Sequence, residues 1–295
     1  MIFEDGNKQH NQARRRADLY LHLVFIACTS FGIVCLTALI VDVVMDGVRA
    51  LSPQFFTNFP SRRPAEAGLL SALVGTGYMV AIMAPVALVF GVGAAIYLEE
   101  YAPKNRLTRL IQVNISTLAG VPSIVYGILG LTLFVRAGGF EPLAMGRSII
   151  SGALTMALLV LPIIIVSAQE SIRAVPRVRR EASFALGANK WQTVQKAVLP
   201  SAIPGILTGV ILSLSRAIGE TAPLVMIGAL TFVAFLPDDP FDQFTVIPIQ
   251  IYNWIARPQL EFHELAAAGI MVLLTLLILM NLSAVLIRNK YQKKN

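Results

Sequence analysis

Five stretches of this chain contain no Lys, Arg, Asp or Glu: residues 19–41, 67–98, 110–135, 148–169 and 265–287. A helix rises about 1.5 Å per residue, so about 20 apolar residues cross the ~30 Å hydrocarbon core of a bilayer, and each stretch is long enough. A sixth apolar region, 197–237, is interrupted only by Arg216 and Glu220. A soluble domain carries about 25% charged residues. Here 14% are charged and 56% are hydrophobic, too little charge to face water. The composition excludes a disordered chain, a collagen and a disulfide scaffold, and leaves the membrane class. The reading is an all-α membrane protein with six transmembrane helices, which puts both termini on the same side.

Lys and Arg set the orientation. With the N-terminus inside, 17 of the 24 fall in cytoplasmic segments, around Arg14–Arg16, Lys104–Arg109, Arg173–Lys196 and Arg288–Lys294. Six fall outside: Arg49, Arg62, Arg63, Arg136, Arg147 and Arg257. Both termini are therefore read as cytoplasmic, and the net charge of +7 reflects topology, with no nucleic-acid partner implied. Cys28 and Cys35 lie seven positions apart in the first span. On a helix that is roughly 10 Å, too far for a disulfide. The first span follows three arginines as a signal peptide would, but it is too long and leads into Asp42-Val43-Val44-Met45, which is no small-residue cleavage site. It reads as a retained anchor.

The predicted organisation is a cytoplasmic tail over 1–18, a first transmembrane helix with its outer loop over 19–66, a core over 67–288 and a short tail over 289–295. Pro53, Pro60 and Pro64 keep the outer loop from being one helix. The second span carries Pro85 and many glycines, and the third contains Gly120 and Pro122 after a polar-spotted start at 112–117. Membrane helices tolerate such breakers where neighbours or a watery cavity satisfy the freed backbone groups. In the long cytoplasmic segment, 177–186 reads as one short helix, Gly187 and Asn189 as its end, and 190–198 as a second. Phe184, Leu186, Trp191 and Val194 are more apolar residues than a solvated loop needs. Either a partner docks there or the segment folds beneath its own spans. Tyr252 and Trp254 in the outer segment suit an interfacial position.

Signals for enzyme chemistry are thin. His10, His22 and His263 lie in different segments, no cluster has metal-ligand spacing, and no G-x-x-x-x-G-K-[ST] is present to hold ATP. The informative pair is Arg216 and Glu220. Read as one helix over 203–229, the fifth span has Arg216 at its midpoint. A lone Arg there costs about 2.5–3.5 kcal/mol on insertion scales. Glu220, one turn on, offsets part of that. Gly205, Gly209, Ser213 and Ala217 add a small-residue stripe that is expected on the same face, for close helix approach. The pair is either structural glue between helices or an anion site in a pathway, the planar guanidinium matching phosphate or carboxylate oxygens.

The segment 181–200, EASFALGANKWQTVQKAVLP, resembles the cytoplasmic EAA motif of bacterial ABC importer permeases. Glu181, Ala182, Gly187, Leu199 and Pro200 match it, while Ser183 and Ala197 replace the second Ala and the Ile of the pattern. The resemblance implies coupling helices at 177–198 that dock on an ATPase subunit. RAIGETAPL at 216–224, YLEEYAP at 97–103 and GVPSIVYGILG at 120–130 resemble the phosphate-specific branch, and Ala222-Pro223-Leu224 its PstA-type subunits. This likeness implies a type I importer permease (MetI-like) core, half of a phosphate pathway in the bacterial inner membrane, and substrate contacts at Arg216, Glu220 and Thr221. The implied partners are a second, PstC-like permease, two copies of a PstB-like ATPase and an extracytoplasmic PstS-like phosphate-binding protein. No cofactor is implied on this chain, since ATP binds the partner. The alternatives are a permease for sulfate or molybdate, and a membrane scaffold or regulator that transports nothing.

Overall fold

The computed structural model describes residues 2–229 and 232–292, without the side chains of 2–18, 141, 291 and 292. The tail expected over 1–18 therefore lies outside the described side chains. All regular elements among the described residues are helical: α1 (Ile2–Ala50), α2 (Pro53–Thr57), α3 (Leu70–Ile96), α4 (Arg106–Leu118), α5 (Ser123–Gly130), α6 (Ile149–Arg173), α7 (Arg177–Ala185), α8 (Lys190–Thr193), α9 (Leu199–Gly219), α10 (Ala222–Ile227), α11 (Ile247–Ile255) and α12 (Leu260–Gln292). Five segments are long and apolar enough to cross a membrane: Leu19–Ala50, Leu70–Tyr101, Ile149–Arg173, Lys190–Gly219 and Leu260–Lys290. The sixth is a bent pair, Arg106–Leu118 and Ser123–Val135, whose axes meet at 105°.

The third span is thus two helices instead of one kinked helix. Pro122 has no N–H to continue α4 and pushes Val121 out of the helical region. Tyr126, one turn into α5, donates its hydroxyl to Leu118 O at 2.8 Å, a carbonyl that also accepts from Val121 N at 3.1 Å, and so pins α5 to the end of α4. Pro85, in contrast, sits inside α3 without ending it.

Helix α6 is the hub. Ser148 starts it by accepting from Ser151 N at 3.4 Å. Its buried residues Ile149, Met156, Val160 and Ile164 join Met79, Met83 and Ala87 of α3 and Ala202, Ile206 and Val210 of α9 in one core. In lipid such packing rests on close fit, since the surrounding hydrocarbon is as apolar as the core. Small residues supply that fit. A methyl placed on Gly205 would come 2.6 Å from Ser171 Oγ, and one on Gly209 would strike Ser167.

A second core lies at the opposite end of the helices from the 177–198 segment, where Phe55, Leu69, Trp254 and Phe262 pack together. Trp254 is fully buried, its ring 5.9 Å from that of Phe55, so it is a core residue and not an interfacial anchor. Tyr252 remains exposed. Thr76 ties this region to α3: its Oγ1 donates to Ala72 O at 2.7 Å and accepts from Ile247 N at 3.0 Å.

Candidate functional site

The fifth span is not one helix to residue 229. Helix α9 ends at Gly219, Glu220 takes extended angles (φ −77°, ψ 130°), and α10 starts at Ala222. Pro223 explains the break, because it cannot donate to the carbonyl of Gly219 and its ring clashes there. Arg216 therefore lies in the last turn of α9 beside a gap in the helix, and not at the middle of a continuous rod. Its Nε is 3.5 Å from Glu220 Oε1. The Arg216 side chain is 64% exposed and that of Glu220 21%. Glu220 is the ion-pair partner of Arg216 among the described residues. Thr221 is half-buried at the N-cap of α10, with no side-chain capping bond.

The small-residue stripe runs along the same side of α9 as Arg216, which lies only about 20° around the helix from Gly209. Gly205 and Gly209 press on Ser171 and Ser167 of α6, and Ser213 and Ala217 are buried. The stripe fits α9 against α6, and at the end of the helix the Arg216 side chain is left 64% exposed.

The two broken segments meet. A methyl on Gly127 of α5 would lie 2.7 Å from Pro223 Cα and 2.8 Å from Met226 Cβ, so α5 and α10 touch backbone to backbone. The strings 120–130 and 216–224, far apart in sequence, thus build one locus. Non-helical backbone at membrane depth occurs where protein or water covers it, as at transporter binding sites.

The 177–198 segment forms a compact corner. Gly187 makes the turn with φ +80°, a left-handed conformation that costs a side-chain-bearing residue strain. Asn189 and Gln192 form a reciprocal capping box at 2.9 Å each way. The second short helix expected over 190–198 is the lower end of the fifth span: α8 passes through a π-helical turn, Val194–Val198, straight into α9. Of the apolar cluster, Val194 is buried, whereas Phe184, Leu186 and Trp191 face solvent, as does Val178 nearby. Leu186 is 89% exposed. Glu181, Ala182, Gly187 and Pro200 are also exposed, and Leu199 is half-buried. The apolar side chains thus face outward, and the corner is not folded under its own spans.

The family model for the inner membrane component of binding-protein-dependent transport systems matches residues 87–293. The chain belongs to this family. Permease relatives agree over most of the chain. A probable ABC transporter permease of Bacillus subtilis, YqgI, is 33% identical over 88% of this chain and 91% of its own. The phosphate transport system permease protein PstA of Yersinia pestis is 30% identical over 94% and 92%. PstA 1 of Mycobacterium tuberculosis strain H37Rv is 34% identical over 75% and 70%. The fold recurs in an alginate ABC transporter structure (TM-score 0.67, 12% identity, 91% of this chain and 93% of that one). It recurs also in the MetNI methionine transporter (TM-score 0.58, 17% identity, 74% and 94%). The chain is a multi-pass inner-membrane transport component with a MetI-like permease core, not an enzyme.

This permease contains functional geometry that its sequence did not announce. Arg180, just before Glu181, is nearly buried and pairs with Glu100 at 2.9 Å, and Arg173 pairs with Glu99. The adjacent acids of 97–103 were the available signal. They face a cleft of about 1120 Å³ also lined by Lys104, Arg106 and Arg177. Among the described residues no group of His, Cys, Asp or Glu is placed to hold a metal.

Proposed function

We propose that this chain is a permease subunit of an ATP-driven phosphate importer. It forms half of the translocation pathway and couples it to an ATPase. The observation that carries the reading is the guanidinium of Arg216, 64% exposed at a helix break and paired with Glu220. Phosphate is anionic near neutral pH and needs a compensating cation to pass between apolar helices. A single Arg, half neutralised by Glu220, attracts it moderately, and transport requires release as much as capture. Glu220 also accepts a hydrogen bond from a phosphate that keeps a proton, which sulfate cannot offer. Thr221 adds a hydroxyl at the same break.

In this reading both termini are cytoplasmic, and the exposed corner of Phe184, Leu186 and Trp191, built around Gly187, docks on the ATPase. A second PstC-like permease completes the pathway, two PstB-like ATPases bind ATP, and a PstS-like protein delivers phosphate from outside. This chain itself needs no cofactor.

The test is uptake of labelled phosphate by the purified complex in vesicles. Arg216→Gln removes charge-assisted bonds of about 1.5–3 kcal/mol, roughly a ten- to hundredfold loss, while assembly and basal ATP hydrolysis survive. Arg216→Lys rescues poorly, because a point charge replaces the fork. Glu220→Gln impairs uptake and relaxes exclusion of sulfate. Wild-type uptake by Arg216→Gln would make the pair structural glue. Robust sulfate or molybdate transport by the unaltered complex would favour the other oxyanion.

A further inference from the structure

Where α6 leaves the membrane, the chain turns through Ala174, Val175 and Pro176 into α7. A connection this short between two helices ordinarily acts as a hinge, and the last carbonyls of a helix lack partners. Here one side chain closes the hinge. Arg180 of α7 reaches back and donates Nη1 to Val175 O at 2.6 Å and Nη2 to Ile172 O at 2.9 Å. The same guanidinium donates Nε and Nη2 to Glu100 Oε1 at 3.1 and 2.9 Å. Glu100 lies in the π-helical turn Tyr97–Tyr101 that ends α3. The side chains of Arg180 and Glu100 are 19% and 12% exposed. Beside them Arg173 of α6 pairs with Glu99 of the same turn.

One planar fork thus joins three separate pieces of chain: the end of α6, the turn after it and the end of α3. A Lys, with a single nitrogen, cannot meet two carbonyls and a carboxylate in these directions. Shielding from water also sets this contact apart from exposed ion pairs, which contribute little. Movement of α7 is therefore delivered to α3 and α6 and not absorbed in the turn. From α6 it passes to α9 through the tight contacts of Gly205 with Ser171 and Gly209 with Ser167. Helix α9 ends at the turn that carries Arg216.

We infer that Arg180, clamped to Glu100, is a positioning residue that converts displacement of the exposed docking corner into movement of the helix carrying Arg216. This rests on the proposed transport function and adds the element that transmits the stroke. Arg180 touches neither substrate nor nucleotide in this scheme, and acts by holding α7 rigid to the bundle.

The experiment measures phosphate imported per ATP hydrolysed by the complete complex in vesicles, together with amide hydrogen exchange over 172–180. Arg180→Gln is expected to assemble and hydrolyse ATP within about twofold of the unaltered complex. Its phosphate-per-ATP ratio falls tenfold or more, and exchange across the turn rises tenfold. Arg180→Lys recovers only part of the ratio. Glu100→Gln, which keeps an acceptor oxygen, loses threefold or less. The double variant Glu100→Ala with Arg180→Gln is no worse than Arg180→Gln alone, since both residues act through one contact. A preserved ratio in Arg180→Gln, or multiplied losses in the double variant, overturns the clamp. Should Arg180→Gln fail to assemble, Glu100→Ala decides by the same ratio, because it leaves both carbonyl contacts intact. An unaltered complex that hydrolyses ATP but moves no phosphate refutes the parent reading instead. Hydrogen exchange in the Arg180 and Glu100 variants then still decides the clamp, and unchanged exchange overturns it.

Discussion

Gly127→Ala tests whether the meeting of α5 and α10 fixes the site. The added methyl would lie 2.7 Å from Pro223 Cα, 2.8 Å from Met226 Cβ and 2.9 Å from Pro223 O. Carbon atoms prefer about 3.5–4.0 Å, so the two helices must separate by about 1 Å. Pro223 cannot yield locally, because its ring fixes the backbone. Overpacking of this kind costs about 1–3 kcal/mol, against which Ala gains only about 0.5–1 kcal/mol of helix preference over Gly. The net is a modest loss of stability. The larger effect is positional, because Glu220 and Thr221 stand immediately before α10 and move with it. A misplacement of about 1 Å costs on the order of a hundredfold in rate when it reaches reacting or binding groups. Phosphate uptake by reconstituted Gly127→Ala should fall at least tenfold with normal assembly. Gly77→Ala, whose methyl meets nothing within 4 Å, serves as the control and should transport normally. Full transport by Gly127→Ala would show that the α5–α10 contact does not hold the site.

Two further outcomes rest on single contacts. Thr76→Val keeps the shape of the side chain but leaves Ile247 N–H buried without its acceptor, at about 1–3 kcal/mol, and should lower the thermal midpoint in detergent by a few degrees. Gly187→Trp forces a side chain into the left-handed region at about 1–2 kcal/mol and should weaken co-purification with the ATPase, whereas Gly187→Asn should be tolerated. Equal recovery of the ATPase with the Trp variant would sever the turn from docking.

The long charge-free stretches were legible because lipid imposes one requirement on every residue of a span, and sequence alone satisfies or violates it. The positions where helices stop were less so. Pro85 and Pro223 look alike in the sequence, yet α3 continues through the first and α9 stops before the second. What differs is the neighbouring structure, here the backbone of α5 pressed against Pro223. Trp254 failed for a related reason: an aromatic residue near a span end reads as a membrane-surface anchor until Phe55, about 200 residues earlier, closes over it. Arg180 was one arginine among several in a basic loop, and its partner lies 80 positions away. Arg216 and Glu220 stood out because charge is costly there, but the exposure of the guanidinium required the break at Gly219 to be seen.

That exposure also governs what happens to this chain before it finds its neighbours. A guanidinium 64% open on a lone subunit must draw water or lipid headgroups inward, thinning the bilayer beside it. Synthesis of this permease without a companion therefore leaves a wound in the membrane that only assembly heals. The same exposure makes the orphaned subunit a natural target for membrane proteases, and so ties its lifetime to the supply of its partner.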